Sequence, residues 1–341
     1  MRSSRSTLKD VAERSGFALR TVKKVMSGDT SVREKNREAI LRAAEELNYS
    51  MNRAARAIGR QKQICLAIVY VKSSELYFPE VEKGFQRCNS ELFDYGLNLE
   101  FHVASIKDIS QQIRVLEALA SRDDIDGVIL QPLDPIALNA AIGELANAGK
   151  PVATFGTDAP DSKRLLFVGC NGYRAGRIAG QLMLQQIKRS APVLALNTSQ
   201  QSQMVSRLQG FIDRLKENRS TVPILLHDMK QVSEYYSCVT ELVSAQDIAG
   251  IYCTNAHVIH AGQALRDLGR TDIPVIGYDI SGPSASLLRT GHISFILDQR
   301  PEEHAYLSAK LLFEYLSEHK ETDPIHHTPI YILNSECLDD F

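Results

Sequence analysis

No apolar run in this 341-residue chain approaches the ~18 residues that a membrane helix needs, which excludes a membrane-spanning reading. The opening MRSSRSTLKD lacks the apolar stretch of an export signal, and that predicts a cytoplasmic protein. Six cysteines, Cys65, Cys88, Cys170, Cys238, Cys253 and Cys337, include no CxxC pair. They suit neither a zinc knuckle nor a dithiol redox site and read as buried, reduced thiols. The histidines show no HExxH spacing, and GxSxG and GxxxxGK are both absent. Catalysis, a metal and a cofactor are therefore not expected. His257 and His260 read as a surface pair on a helix rather than as metal ligands.

Acid is scarce in one region only. Residues 1–62 carry 15 Lys and Arg against 7 Asp and Glu, a balance of +8, whereas the rest of the chain carries 24 against 34, a balance of −10. A basic head of that size suits a polyanion such as DNA. Thr7 can cap a helix through Leu8, Val11 and Ala12, and Gly16 supplies its stop. A second helix from about Ala18 to Ser27 buries Leu19, Val22, Val25 and Met26 and turns Arg20, Thr21, Lys23 and Lys24 outward. A third, in SVREKNREAILRAAEELNY, places Val32, Ile40, Leu41, Ala44 and Leu47 on its inner side. Three short helices with a tight glycine turn between the first two match a helix-turn-helix unit. Then comes NRAARAIGRQK, basic and too weakly amphipathic to fold alone, which is expected to order only on a partner. Its one bulky apolar side chain, Ile58, lies between Arg56 and Arg60, the composition of a minor-groove wedge.

From Gln63 the pattern becomes apolar runs of strand length alternating with amphipathic helices. ICLAIVYV, LNLEFHVA, GVILQPL, KPVATFG, PVLALNT, PILLHDM, AGIYCTN, IPVIGYD and HISFILD read as strands. The alternation predicts an α/β effector core of two doubly wound parallel sheets, covered on both sides. Ligands of such sheets sit beyond the carboxyl ends of the strands. That rule selects Tyr77, Phe78, Asp158, Asn255, Asp279 and Gln299. Carboxylate, amide and aromatic groups together suit a neutral polyol, although each alone can equally be a turn or cap residue. Cations near the strand ends are limited to Arg207 and Arg300, which favours an uncharged effector over a phosphorylated one.

Residues 7–60 resemble the DNA-binding head of the lactose/galactose repressor family, on T-L-K-D-V-A, TV, V-M-S-G, ELNY and N-R-A-A-R-A-I. The body resembles the type I periplasmic sugar-binding-protein fold of the same family, on YFPEVEKGF, IDGVILQPLD, RLQGF, VIGYD and DQRPEE. The resemblance implies a dimeric, ligand-controlled transcription repressor of a carbohydrate-use operon, binding a pseudo-palindromic double-stranded operator. It places Leu19, Arg20 and Lys24 at base edges, Thr7, Thr21 and Lys23 nearer phosphates, and Asn52, Arg56 and Ile58 in a linker helix at the minor groove. It adds Arg207 as a donor to the effector and assigns Tyr77 and Phe78 to stacking on the sugar. Asn255, Asp279 and Gln299 take the remaining hydroxyls. Gly156 stands where the family commonly has Asp or Asn, with Asp158 two residues later. The TDAPDSKR stretch resembles transporter-type binding proteins for pentoses, deoxyhexoses and cyclitols.

The implied domains are a head at 1–50, a hinge helix at 51–62 and an effector and dimerisation domain at 63–341. Within the last, lobe one takes 63–168 and 298–326, and lobe two takes 169–297 and 327–341. The rival reading is a cytoplasmic sugar sensor related to transporter binding proteins, without a role on DNA.

Overall fold

The structure, a computed structural model, describes residues 8–26, 32–47, 63–71, 77–105, 108–197, 202–217, 222–229 and 231–340. The chain divides into two compact units, Met1–Lys62 with Asp94–Gly96, and Gln63–Phe93 with Leu97–Phe341.

In the first unit, α1 (Leu8–Ser15), α2 (Leu19–Met26) and α3 (Glu34–Glu46) close around Val11, Val22, Val25, Ile40, Ala43 and Ala44. Gly16 adopts φ 72° between α1 and α2, and its amide donates to the Ala12 carbonyl at 3.0 Å. Open space surrounds the place of a Cβ there, so the positive φ alone requires glycine. Leu41, expected inside, is 40% exposed. Ile40 already fills that side of α3, and its neighbour is carried about 100° round the helix.

The second unit holds two six-stranded sheets. Sheet one runs β11-β5-β4-β3-β1-β2, with β1 (Ile64–Val71), β2 (Leu97–Ala104), β3 (Gly127–Leu130), β4 (Val152–Phe155), β5 (Leu166–Gly169) and β11 (Ile325–His327), all parallel. Sheet two runs β12-β10-β9-β8-β6-β7, with β6 (Val193–Asn197), β7 (Ile224–Asp228), β8 (Gly250–Cys253), β9 (Val275–Tyr278), β10 (Phe295–Asp298) and β12 (Tyr331–Leu333). In that sheet only β12 is antiparallel, to β10. Both sheets change direction of winding beside their first strand, which opens a crevice at the strands' carboxyl ends.

Helices α4 (Phe78–Leu92), α5 (Ile109–Ala120), α6 (Asn139–Asn147) and α12 (Pro301–Glu318) belong with sheet one. Helices α7 (Gly172–Gln186), α8 (Ser202–Lys216), α9 (Glu234–Ala245), α10 (Val258–Asp267) and α11 (Gly282–Arg289) belong with sheet two. The central strands are buried at every position but Cys65 of β1, and so read as continuous apolar runs. The chain passes between sheets three times, after β5, after β10 and after β11. No described helix is long and apolar enough to cross a membrane.

Candidate effector cleft and nucleic-acid face

Arg207 is the centre of the cleft in sheet two. It sits in the second turn of α8, is 0% exposed, and is brought inward because α7 and α8 pack backbone to backbone. A Cβ on Gly176 of α7 would collide with the Arg207 carbonyl, so glycine there sets the approach. The guanidinium lies 3.9 Å over the Tyr278 ring. Its Nη1 donates to the Thr254 carbonyl at 2.9 Å, and its Nη2 donates to Gln299 Oε1 at 2.6 Å. Gln299 Nε2 then donates to both Asp279 oxygens, at 2.9 and 3.1 Å. One carboxamide thus links a buried cation to a buried anion that does not touch it directly. Arg207 Nε is buried with no hydrogen-bond partner among the described residues.

Burial raises Asp279 to about 6, with Arg207 opposing the shift. Its backbone is left-handed at φ 60°, as is that of Arg300 at φ 55°, directly after Gln299. Aspartate tolerates this region better than arginine does, and strain of ~1–3 kcal/mol at such positions persists only where surrounding contacts hold it. Cys170, just after β5, completes the cluster. Its thiol lies 3.4 Å from Gln299 Oε1, and Gln203 Nε2 donates to its sulfur at 3.1 Å. Burial, ahead of every other cause, raises its pKa.

The remaining selected residues fall differently. Tyr77, half-buried at the start of α4, has its pKa raised first by burial and then by Asp279 and Cys170, with Arg207 opposing. Phe78 is 0% exposed, stacked on Tyr70 at 5.3 Å and edge-on to Tyr77 at 5.6 Å. Asn255 Oδ1 accepts from the Tyr235 hydroxyl at 3.2 Å and from the His257 amide at 3.0 Å, holding the loop after β8. Asp158 is not brought into the cluster. Arg164 grips its carboxylate through Nε and, at 2.8 Å, through Nη2, and the Ala159 amide donates to it at 2.7 Å. That carboxylate serves the loop after β4, because the nearby Arg164 side chain is itself almost fully buried and needs a counter-charge.

His257 is half-buried rather than on the surface, stacked on His260 at 5.8 Å, and burial pushes it down to about 4. Among the described residues no three His, Cys, Asp or Glu side chains group as a metal site. An open hollow of about 620 Å3 along α7 lies apart from the cluster, and its Arg177 is already paired with Glu217 at 2.6 and 2.8 Å.

Gln131, Cys170, Gln203, Thr254 and Tyr278 were not selected from sequence. The strand-end rule could have found three of them, Thr254 being the residue directly after β8. Gln131 follows β3, which stops at Leu130 instead of running through QPL, and Cys170 follows β5, whose LFVG was not read as a strand.

In the head, Arg20, Lys23 and Lys24 are exposed along one side of α2, Thr21 and Leu19 are half-buried, and Val22 and Val25 are buried opposite. Arg20, Thr21 and Lys24 line a hollow of about 430 Å3 with Val32, Arg33 and Asn36 of the α3 end. Thr7, Asn52, Arg56 and Ile58 lie outside the described residues.

Taken together, the two units define a class: a helix-turn-helix head joined to a two-lobed periplasmic-binding-protein core. Residues 66–321 match the periplasmic binding protein domain family, and residues 7–52 match the bacterial regulatory proteins of the lacI family. The chain belongs to the LacI family of transcription regulators, with a type I binding-protein core. It is similar to the HTH-type transcriptional repressor PurR of Proteus mirabilis, 27% identical over 284 residues, 80% of each chain. Its fold is shared with a Bacteroides fragilis chain described as a LacI transcriptional regulator, at TM-score 0.76 and 21% identity over 82% of this chain and 100% of that one. A Burkholderia graminis transporter solute-binding protein in complex with D-arabinose superposes at TM-score 0.74 and 20% identity, covering 82% and 98%.

Proposed function

We propose that this regulator is a cytoplasmic repressor of a carbohydrate-use operon, switched by an uncharged sugar or polyol held between its two lobes. Arg207, Asn255 and Asp279 bind the effector from lobe two, Gln299 binds it from the crossing after β10, and Tyr77 covers it from lobe one, with Phe78 supporting the Tyr77 ring. The observation that carries this reading is the buried Arg207–Gln299–Asp279 chain, which offers a donor with one N–H to spare and a carboxylate at the strand ends. Alternating charged donors and acceptors suit vicinal hydroxyls, which both give and take hydrogen bonds. The D-arabinose held by the Burkholderia protein of the same fold supports a pentose-sized ligand.

Leu19, Arg20 and Lys24 read bases, and Thr7, Thr21 and Lys23 contact phosphates. Asn52, Arg56 and Ile58 enter the minor groove from a hinge helix at 51–62. A homodimer presents two heads to a pseudo-palindromic operator. Closure of lobe one (63–168 and 298–326) on lobe two (169–297 and 327–341) moves the hinge helices, and the effector drives it by its differential affinity for the closed form. A thermal-shift screen of pentoses, deoxyhexoses and cyclitols tests the effector, since a ligand of the native state raises stability by mass action. A gel-shift titration with the hit then tests the switch: operator affinity unchanged by a bound sugar rejects the mechanism.

A further inference from the structure

Residues from two strand ends of sheet one and from the start of α4 meet at a single point. Gly156, after β4, has φ 68°, and a Cβ built on it would lie 2.9 Å from the Tyr77 hydroxyl and 3.8 Å from Gln131 Nε2. The Tyr77 hydroxyl thus occupies the room in which a side chain at 156 would begin. Asp or Asn is common here in the family that the sequence resembles, and the neighbouring acid, Asp158, is spent on Arg164. Asp158 therefore brings no free carboxylate to this corner of the cleft.

The first lobe brings an amide instead. Gln112, 0% exposed, donates to the Gln131 carbonyl at 2.8 Å and accepts from the Leu133 amide at 3.0 Å, fixing the turn that carries Gln131. Gln131 Oε1 is buried and has no hydrogen-bond partner among the described residues. A buried acceptor without a donor is a costly and uncommon arrangement unless a ligand supplies one.

We propose that Tyr77, Gly156 and Gln131 set effector specificity: Gln131 Oε1 accepts from an effector hydroxyl or N–H, and the Tyr77 hydroxyl, seated beside Gly156, limits the size of the group that reaches it. The ligand this fits is an uncharged polyhydroxy compound gripped at one end by Arg207 and Asp279 and at the other by a neutral amide. The inference rests on the effector reading of the cleft given above.

The test is calorimetric titration of full-length protein with D-ribose, D-arabinose, D-xylose, L-fucose, D-glucose and myo-inositol. It compares wild type with Gln131→Leu, Gln131→Glu and Gly156→Asn. For the compound that binds wild type, Gln131→Leu is expected to lose roughly tenfold in affinity, the cost of one hydrogen bond. Gln131→Glu, which keeps an acceptor, stays within a few-fold, and Gly156→Asn reorders the panel by displacing Tyr77. Melting temperatures without sugar separate lost binding from lost folding, and if Gln131→Leu unfolds, the Gly156→Asn reordering decides. Binding by wild type with unchanged affinity and ranking in the folded variants overturns this inference alone. Failure of every compound to bind wild type overturns the effector reading and this inference with it.

Discussion

His304 Nε2 stands 2.7 Å from Thr328 Oγ1, and the Thr328 amide donates in turn to the Gly169 carbonyl at 3.1 Å. Those three residues come from the three places where the chain passes between the sheets: the start of α12, the segment after β11 and the end of β5. The hinge is thereby tied across by side chain and backbone together.

That clasp predicts acid lability. His304 is fully buried, and burial pushes it down to about 3 from an ordinary 6.5, with Arg207 adding to the shift. The folded protein holds it neutral while the unfolded chain takes up a proton, so its contribution is complete above pH 6.5 and is lost as pH falls toward 3. Each unit below 6.5 costs up to ~1.4 kcal/mol from this group. Urea unfolding at pH 7.5 and pH 5 is expected to show a smaller acid penalty in His304→Gln than in wild type. Equal penalties would remove His304 from the account.

Asp279 behaves in the opposite sense. Its folded value of about 6 lies above the ordinary 3.8, so the ionised group costs stability, by an amount that grows from pH 3.8 to 6 and is constant above. Asp279→Asn is expected to melt higher than wild type at pH 7.5, by an amount worth ~1–3 kcal/mol. The same variant should lose its response to effector. In wild type, effector affinity should weaken as pH drops through 6, because protonation removes an acceptor. Titration calorimetry at pH 5 and 7.5 checks the slope, which the Asn variant should lack.

On the head, Arg20→Ala is expected to relax discrimination at one operator position by ~1–3 kcal/mol. Lys23→Ala should weaken binding evenly across sequences and lower the slope of log affinity against log salt by about 1. Fluorescence anisotropy against single-base operator variants, in a salt series, separates the two roles. Matching profiles for both variants would contradict the division between base and phosphate contacts.

Ile58→Gly is expected to weaken specific operator binding and reduce DNA bending, since the apolar wedge that unstacks a base step is gone. The melting temperature of the effector core should not move. A bending angle equal to wild type, read by energy transfer across a labelled operator, would rule out the wedge.

Much of this fold is legible because parallel strands covered on both faces must be apolar at every position. All nine runs named from sequence are strands in the structure. The three that escaped notice had weaker signals. LFVG at β5 follows directly on a polar, charged loop, and β11 and β12 are three-residue edge strands whose outward side chains, Ile325, Tyr331 and Ile332, leave no alternation to read. At the cleft, polar residues after strands could be picked out, but their partners could not. Asp158 and Asp279 look alike in sequence, and only the fold gives one to Arg164 and the other to Gln299. Arg207 lies mid-helix, where no strand-end rule reaches it.

The late position of α12 has a consequence for biosynthesis. Its Leu312 and Leu316 lie 3.3 and 3.2 Å from where a Cβ on Gly127 would sit, so this helix roofs strands made nearly 200 residues earlier. On a ribosome, those strands emerge and wait with a bare apolar face until the last tenth of the message is read. The helical head, whose core lies wholly within residues 8–47, has no such wait. A nascent chain stalled before Pro301 should therefore carry a structured front end and a sticky, chaperone-dependent remainder.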